Sequence, residues 1–264
     1  MGTKQNTDPT SYQHPLDKTA LAALKKLPGI DWVVAKILDL SISFDEIPRL
    51  KGNAVIVTEQ TSPRVYKLKH LAMERLGIEE DLPVYIKQEW QYNAYTAGVD
   101  NPIIVLYTSL LNDMTDDEVL YILGHEMAHY QNKHTLYHFM AHKIADIAFH
   151  GGVISGVAMS AIVFALLEWY RKSELTADRG GYIANQNKSA CISAMQKMMG
   201  LPEKAGDAGY NFTTEEILSQ YDERDVDLKG WKEKIMYAIL TLSMDHPWMV
   251  ERIKELSQWE YSIE

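Results

Sequence analysis

The sequence has only one cysteine, Cys191, so the chain can form no internal disulfide bond. Nothing in it therefore requires an oxidising compartment. A secretory signal is also missing, because the residues from Met1 to Pro15 are polar and contain no apolar run. We expect a cytoplasmic protein, with membrane association kept as an alternative.

Positive charge is in short supply. The chain has 26 lysines and arginines against 36 aspartates and glutamates, which gives a formal net charge of −10 at pH 7. We find no basic stripe that would offset this excess, and a negatively charged molecule repels phosphate backbones. We therefore expect no nucleic-acid partner.

The remaining composition is that of an ordinary folded protein. Hydrophobic residues make up 46% and charged residues 23%, which argues against disorder and fibrous repeats. At ~150 residues per domain, the length allows one large domain or two small ones. We predict a flexible or loosely docked arm over 1–15 and a single domain over 16–264. Within this domain we expect helices in 16–50, a small sheet and a long helix in 54–149, and further helices in 151–264.

Strand patterns precede helical patterns along the chain. A helix is predicted over Ser62–Leu76, between the Pro63 start signal and Gly77. From Thr115 onwards the pattern is helical, and Thr115 with Glu118 forms a capping-box signature. This order favours the α+β class. The predicted strands are Ala54–Thr58, Val84–Lys87, Tyr92–Ala97 and Ile103–Tyr107.

The chemistry begins with the motif HExxH at residues 125–129. On a helix, His125 and His129 lie on one face about one turn apart, so both imidazoles can bind one Zn²⁺ ion per chain. The carboxylate of Glu126 can then take a proton from a water that the metal activates and pass it to a leaving amine. A chance match in a chain with 9 histidines is expected on the order of a few per cent of the time, so the motif needs a third ligand.

Two carboxylates one helical turn apart follow downstream. We predict Glu174 as the third metal ligand. Asp178 would then orient a ligating histidine through the other ring nitrogen. The alternative is a solvated acidic helix face, which is the commoner origin of an isolated ExxxD.

Four blocks of the chain resemble one family in their order and spacing. They are NAYTAGVDNPIIVLYTSLL (93–111), LGHEMAHYQNKH (123–134), SELTAD (173–178) and DHPWMVERIKEL (245–256). The sequence resembles the zinc metallopeptidase family that contains HtpX and the CAAX prenyl endopeptidases. This resemblance implies endopeptidase activity and a mostly helical zincin fold of the gluzincin type. It also implies a small sheet whose edge strand borders the active-site cleft.

The resemblance also implies roles for single residues. It makes His125, His129 and Glu174 the metal ligands, Glu126 the general base and Asp178 a supporting carboxylate. Asn93 and Ala94 lie where related enzymes hold the substrate backbone along an edge strand.

Two residues of the last block carry further expectations. His246 precedes Pro247 in a predicted loop that the resemblance brings near the metal, where it would assist the oxyanion or fill the open coordination position. A plain loop histidine is the alternative. The resemblance implies that Arg252 pairs with an active-site carboxylate such as Asp178, although surface exposure is the commoner fate of an arginine.

Three further histidines, His134, His138 and His142, recur at intervals of four residues. A second metal is one interpretation. We prefer a structural role for His134 and a polar helix face for the other two.

The segment from Gly151 to Leu167 contains 17 residues without a charge. This length is at the lower edge of the ~17–25 residues that cross a bilayer. A single crossing would separate Glu174 from His125, so a shared metal site forbids it. We favour a buried helix, and a peripheral membrane contact or a homo-oligomer contact through 151–167 are the alternatives.

Together these patterns predict a zinc-dependent endopeptidase that acts on extended or unfolded polypeptide. The rival hypothesis is a zinc-containing binding protein that is latent because His246 caps its metal.

Overall fold

The residues that the structure describes form helices and one small mixed sheet, so the predicted α+β class is confirmed. The computed structural model describes residues 7–41, 47–98, 101–149, 157–200, 213–222 and 249–261. His246 and residues 1–6 and 151–156, about which the sequence made predictions, lie outside these ranges.

The sheet has four strands in the order β1-β2-β4-β3. β2 and β4 are parallel, with Val84 opposite Ile104, and the two outer pairs are antiparallel. β3 is therefore an edge strand. The strands are β1 (Ala54–Ile56), β2 (Val84–Lys87), β3 (Ala94–Ala97) and β4 (Ile103–Tyr107).

β2 and β4 have their predicted bounds, whereas β1 and β3 are shorter than predicted. β1 ends at Ile56 because the chain turns there. The Thr61 hydroxyl donates to the Ile56 carbonyl at 2.6 Å, and the Thr58 N–H donates to the Thr61 hydroxyl at 2.8 Å. Such side-chain bonds compete with a strand ladder.

The helices surround this sheet and supply most of the core. The main core joins Leu68, Leu106, Leu123 and Ala184, which come from different elements. The helices are α1 (Pro9–Tyr12), α2 (Pro15–Leu24), α3 (Ile30–Ser41), α4 (Ile47–Asn53), α5 (Pro63–Leu76), α6 (Thr108–Asp113), α7 (Asp116–Gln131), α8 (Thr135–Phe149), α9 (Val157–Asn185), α10 (Lys188–Met198), α11 (Thr214–Asp222) and α12 (Met249–Gln258).

The predicted capping box begins α7, which is buried along most of its length. The Glu118 N–H donates to the Thr115 hydroxyl, and the Thr115 N–H donates to the Glu118 carboxylate at 2.7 Å. The same carboxylate accepts hydrogen bonds from Lys197 at 2.8 Å and Ser193 at 2.6 Å. The cap therefore also attaches α7 to α10.

Glu118→Gln is expected to lower the free energy of unfolding by about 1–3 kcal/mol, because it removes the charged acceptor of a buried network. Burial disfavours the charge, but the bonds from Lys197, Ser193 and Thr115 outweigh it and lower the pKa of Glu118. This stabilisation is present above the usual glutamate pKa and is lost as the pH falls through the lowered one. Urea unfolding at pH 7 and in acid measures both effects.

The control is Glu216→Gln, which alters an exposed capping box with Thr213 on α11. It should lose less than about 1 kcal/mol. Equal losses for the two variants, or a loss for Glu118→Gln that does not shrink in acid, would contradict the assigned network.

Glycines allow α7 and α9 to pack closely against each other. A Cβ atom added to Gly180 would lie 2.4 Å from the Cβ of Ala128, and one added to Gly124 would lie 2.3 Å from the Cβ of Ala184. Carbon atoms that are not bonded to each other do not approach this closely. At these glycines the backbone of the helix that carries His125 thus comes close to the helix that carries Glu174.

Residues 7–15 differ from the loosely docked arm that the sequence predicted. Tyr12 is fully buried, and its hydroxyl donates to Gln131 at 2.8 Å. The backbone N–H of His14 donates to the hydroxyl of Thr176 at 3.0 Å. One aromatic residue in a polar stretch leaves no periodic signal, so its docking could not be predicted from the sequence.

The described part of the apolar segment 151–167 belongs to the first half of α9. Ile162, Val163 and Leu166 are buried in a second core with Leu24 and Met140. Within the described residues, no helix combines the length and the apolar character that a membrane span needs. The buried-helix interpretation agrees with this packing, and a membrane or oligomer contact stays a prediction.

Candidate metal centre

Three side chains converge at the contact between α7 and α9. The Nε2 atoms of His125 and His129 are 3.2 Å apart, and the Glu174 carboxylate lies 3.5 Å from the first and 3.3 Å from the second. With metal–ligand bonds of ~2.0–2.1 Å, ligand atoms at the corners of a tetrahedron are about 3.3–3.4 Å apart. The three groups therefore fit a single tetrahedral metal ion, and all three are buried.

Asp178 orients the first of these imidazoles. Its Oδ1 atom is 3.0 Å from Nδ1 of His125 and accepts a hydrogen bond from Tyr121 at 2.7 Å. Because the carboxylate accepts a hydrogen bond from the N–H at Nδ1, Nε2 is the nitrogen of His125 that can bind a metal, and it faces His129 and Glu174. The sequence predicted this role for Asp178, and the structure brings the two residues together.

Arg252 of α12 bridges the two buried carboxylates. Its guanidinium donates to Asp178 through Nε at 2.8 Å and Nη2 at 2.6 Å, and Nη1 lies 3.0 Å from Glu174. Its side chain is only 3% exposed, so it is not a surface arginine. The structure therefore pairs Arg252 with two carboxylates of the candidate centre, Asp178 and Glu174.

These contacts determine the charge state of the centre. Burial disfavours ionised carboxylates, but the guanidinium of Arg252 outweighs it and holds the pKa of Glu174 and Asp178 well below the usual range. Burial also disfavours a charged imidazole, yet hydrogen bonds to Asp178 and Glu174 raise the pKa of His125 to about 9 in the metal-free centre.

Glu126 lies beside the ligands and contacts the edge strand. Its Oε2 atom accepts a hydrogen bond from the hydroxyl of Thr96 at 2.7 Å. Sequence reasoning missed Thr96. The alternation of side chains along β3 could have found it, because Thr96 and Ala94 share one face of the strand.

Asn93 and Ala94 are part of the sheet next to this carboxylate. Ala94 is fully buried opposite Leu106, and the Asn93 carbonyl accepts a hydrogen bond from the N–H of Tyr107 at 3.1 Å. β3 is the edge strand that the sequence predicted at this place. Substrate contacts of Asn93 and Ala94 stay predictions.

A small cleft adjoins His125 and Glu126. Its apolar lining includes Met195, Met198 and Met249.

The other histidines of the motif region are also packed near the centre. His134 is fully buried, with its Nδ1 atom 2.9 Å from Nδ1 of His129, and His138 bonds through Nε2 to Ser173 at 2.7 Å. The side chain of His142 lies outside the described atoms.

An HExxH helix and a glutamate from a second helix define the centre of a metal-dependent hydrolase. The family model described as Peptidase family M48 matches residues 59–260, and the chain belongs to this family. The predicted resemblance is confirmed, and the protein is a metalloprotease.

Relatives in plants and bacteria agree with this assignment. The plastoglobule-localized metallopeptidase 48, chloroplastic, of Arabidopsis thaliana is 26% identical over 263 residues, which cover 98% of this chain and 75% of that protein. A protease HtpX homolog of Ralstonia nicotianae is 29% identical over 59% of this chain and 64% of its own length. The protease HtpX of Nitrosococcus oceani is 24% identical over 89% of this chain and 85% of its own. No solved structure matches the chain.

Proposed function

We propose that the protein is a zinc-dependent endopeptidase of the gluzincin type that hydrolyses peptide bonds in extended or unfolded polypeptide segments. The observation that carries this proposal is the convergence of His125, His129 and Glu174 on one point beside the carboxylate of Glu126. Zinc suits two imidazoles and a carboxylate with one position left open.

Zinc held by His125, His129 and Glu174 would polarise the substrate carbonyl and lower the pKa of a bound water. The carboxylate of Glu126 would be the base that accepts a proton from the attacking water as the water oxygen bonds to the carbonyl carbon. The same carboxyl group then delivers the proton to the amide nitrogen as the C–N bond breaks. The products are a new carboxyl group and a new amine, so atoms and charge balance.

The protein groups around Glu126 and the ligands supply orientation. The hydrogen bond from the Thr96 hydroxyl holds the carboxylate of Glu126 at β3. Asp178 and Arg252 hold His125 and Glu174 in place. His246 is proposed, from the resemblance alone, to assist the oxyanion.

The edge position of β3 supports a substrate in extended form. A strand edge pairs with the main chain of a peptide and selects little of its sequence, so broad specificity for unfolded segments follows. Asn93 and Ala94 are the proposed contacts at the start of this edge.

Removal of the metal is the first test. The purified protein should contain one zinc ion per chain and digest casein, chelation should abolish digestion, and added zinc should restore it. Glu174→Gln should lose most of the bound zinc because it removes the charged ligand, whereas Glu215→Gln on the exposed face of α11 should keep it. Metal analysis and casein digestion measure these outcomes.

Retention of zinc without any digestion would contradict the peptidase proposal. It would favour the binding-protein hypothesis in which the metal is capped.

A further inference from the structure

A second buried chain of polar groups lies behind the other ligand, His129. Nδ1 of His129 is 2.9 Å from Nδ1 of His134, and Nε2 of His134 is 3.4 Å from the Oδ2 atom of Asp17. Asp17 and His134 are both fully buried, and Asp17 comes from α2, far from the motif in sequence. The two ligand imidazoles are thus held differently, since His125 contacts its aspartate directly.

The proton positions along this chain follow from metal binding at His129. When Nε2 of His129 presents its lone pair to the metal, its Nδ1 atom carries the proton. Nδ1 of His134 must then accept the hydrogen bond that the N–H at Nδ1 of His129 donates. A neutral His134 therefore carries its own proton on Nε2. That N–H is buried and makes no hydrogen bond of ordinary length within the described residues, and the acceptor that it faces is Asp17.

Asp17 is well prepared to be this acceptor. Its carboxylate accepts hydrogen bonds from the indole N–H of Trp169 at 2.9 Å and the hydroxyl of Thr176 at 2.7 Å, both on α9. Burial disfavours its charge, but contacts with His134 and Thr176 outweigh it and lower the pKa of Asp17. The Asp17 carboxylate of α2 is therefore held against α9, the helix that carries Glu174.

A second metal at His129, His134 and His138 is the competing interpretation of the same cluster. The 2.9 Å between the Nδ1 atoms of His129 and His134 is a hydrogen-bond distance and is shorter than the about 3.3 Å between two ligands of tetrahedral zinc. Nε2 of His138 bonds to Ser173. The geometry favours hydrogen bonding over a second ion.

We propose that Asp17 and His134 are positioning residues that fix the orientation and tautomer of His129 for metal binding. The proposal rests on the proposed metal centre, and it extends that centre to the N-terminal helix α2. Groups that orient a ligating histidine typically contribute about 10–100-fold to metal affinity.

The test measures zinc affinity of the full chain by competition with a chromogenic chelator. His134→Phe keeps a ring but removes the acceptor, and it should weaken zinc binding by about 10–100-fold. His134→Asn returns a short acceptor and should recover part of the affinity. Asp17→Asn should weaken binding in the same direction but less, because the amide oxygen can still accept a hydrogen bond.

Val163→Ala is the matched control. It reduces packing in the second core on α9 but leaves in place the hydrogen bonds that Trp169 and Thr176 donate to Asp17 and the contact between Asp17 and His134. Its thermal stability should fall while its zinc affinity stays within about threefold of wild type, since the orienting contacts remain. If the zinc affinity of this control fell as much as that of His134→Phe, the effect would be one of general packing, and the proposal would be overturned.

Histidine tautomers provide a readout that does not depend on any variant folding. Long-range ¹H–¹⁵N spectra of the zinc-loaded wild type should show His129 protonated at Nδ1 and His134 at Nε2. A proton on Nδ1 of His134 would overturn the proposal. A wild type that binds two zinc ions per chain, with only one in His134→Phe, would also overturn it. A wild type that binds zinc but digests no casein would contradict the peptidase proposal alone. A wild type without zinc affinity would contradict both the metal centre and the positioning role of Asp17 and His134.

Discussion

Glu126→Gln is expected to lower the rate of peptide hydrolysis by about 10²–10⁴-fold while the zinc content stays at the wild-type level. Glutamine has nearly the shape of glutamate, and its amide oxygen can still accept the hydrogen bond from Thr96. It cannot accept the proton of the attacking water or return a proton to the leaving nitrogen. The loss should therefore appear in kcat. The measurement determines kcat and KM separately on an unfolded fluorogenic substrate, together with metal analysis.

Glu80→Gln is the control for this change. Glu80 also accepts a hydroxyl hydrogen bond, from Tyr130 at 2.7 Å, but on the exposed surface. Its substitution should leave both zinc content and hydrolysis unchanged. Equal digestion by Glu126→Gln and wild type would mean that another group acts as the base.

Arg252→Met is expected to lower the free energy of unfolding of the metal-free protein by about 3–5 kcal/mol. The substitution leaves the buried carboxylates of Asp178 and Glu174 without the guanidinium that contacts both. The loss should be smaller with zinc present, because a bound cation compensates the charge of Glu174. Urea unfolding with chelator and with excess zinc gives the two values.

Two further variants separate the contributions of Arg252. Arg252→Lys keeps the charge but loses the fork that binds Asp178 through two nitrogen atoms, so an intermediate loss is expected. Arg171→Met alters a more exposed pair with Glu168 on α9 and should lose less than about 1 kcal/mol. If Arg171→Met and Arg252→Met were equally destabilised, the bridge would have no special importance.

Local patterns predicted the parts of the fold that depend on neighbours along the chain. The capping box before α7 and the bounds of β2 and β4 follow from short-range chemistry and alternation. The spacing of His125 and His129 placed them on one helical face. Glu174 and Asp178 were predicted because they accompany the HExxH motif, and the family resemblance supported them, since an ExxxD pattern alone does not say what it faces.

The missed features all depend on contacts between segments far apart in sequence. Tyr12 is one aromatic residue in a polar stretch, Asp17 reaches His134 across 117 positions, and Thr96 meets Glu126 only because β3 lies against α7. No periodicity within a single segment reports such meetings. His246 lies outside the described residues, so its predicted role is untested.

The close contact of α7 and α9 also limits how this enzyme can be engineered. Replacing a helical glycine with alanine is a routine route to heat resistance, because it restricts the unfolded chain. At Gly124 and Gly180 the added methyl group would instead act as a wedge between the two helices. It would push the histidines away from the glutamate, so a thermostable variant should be sought at Gly52 on α4, where an added Cβ would meet no described atom within 4 Å.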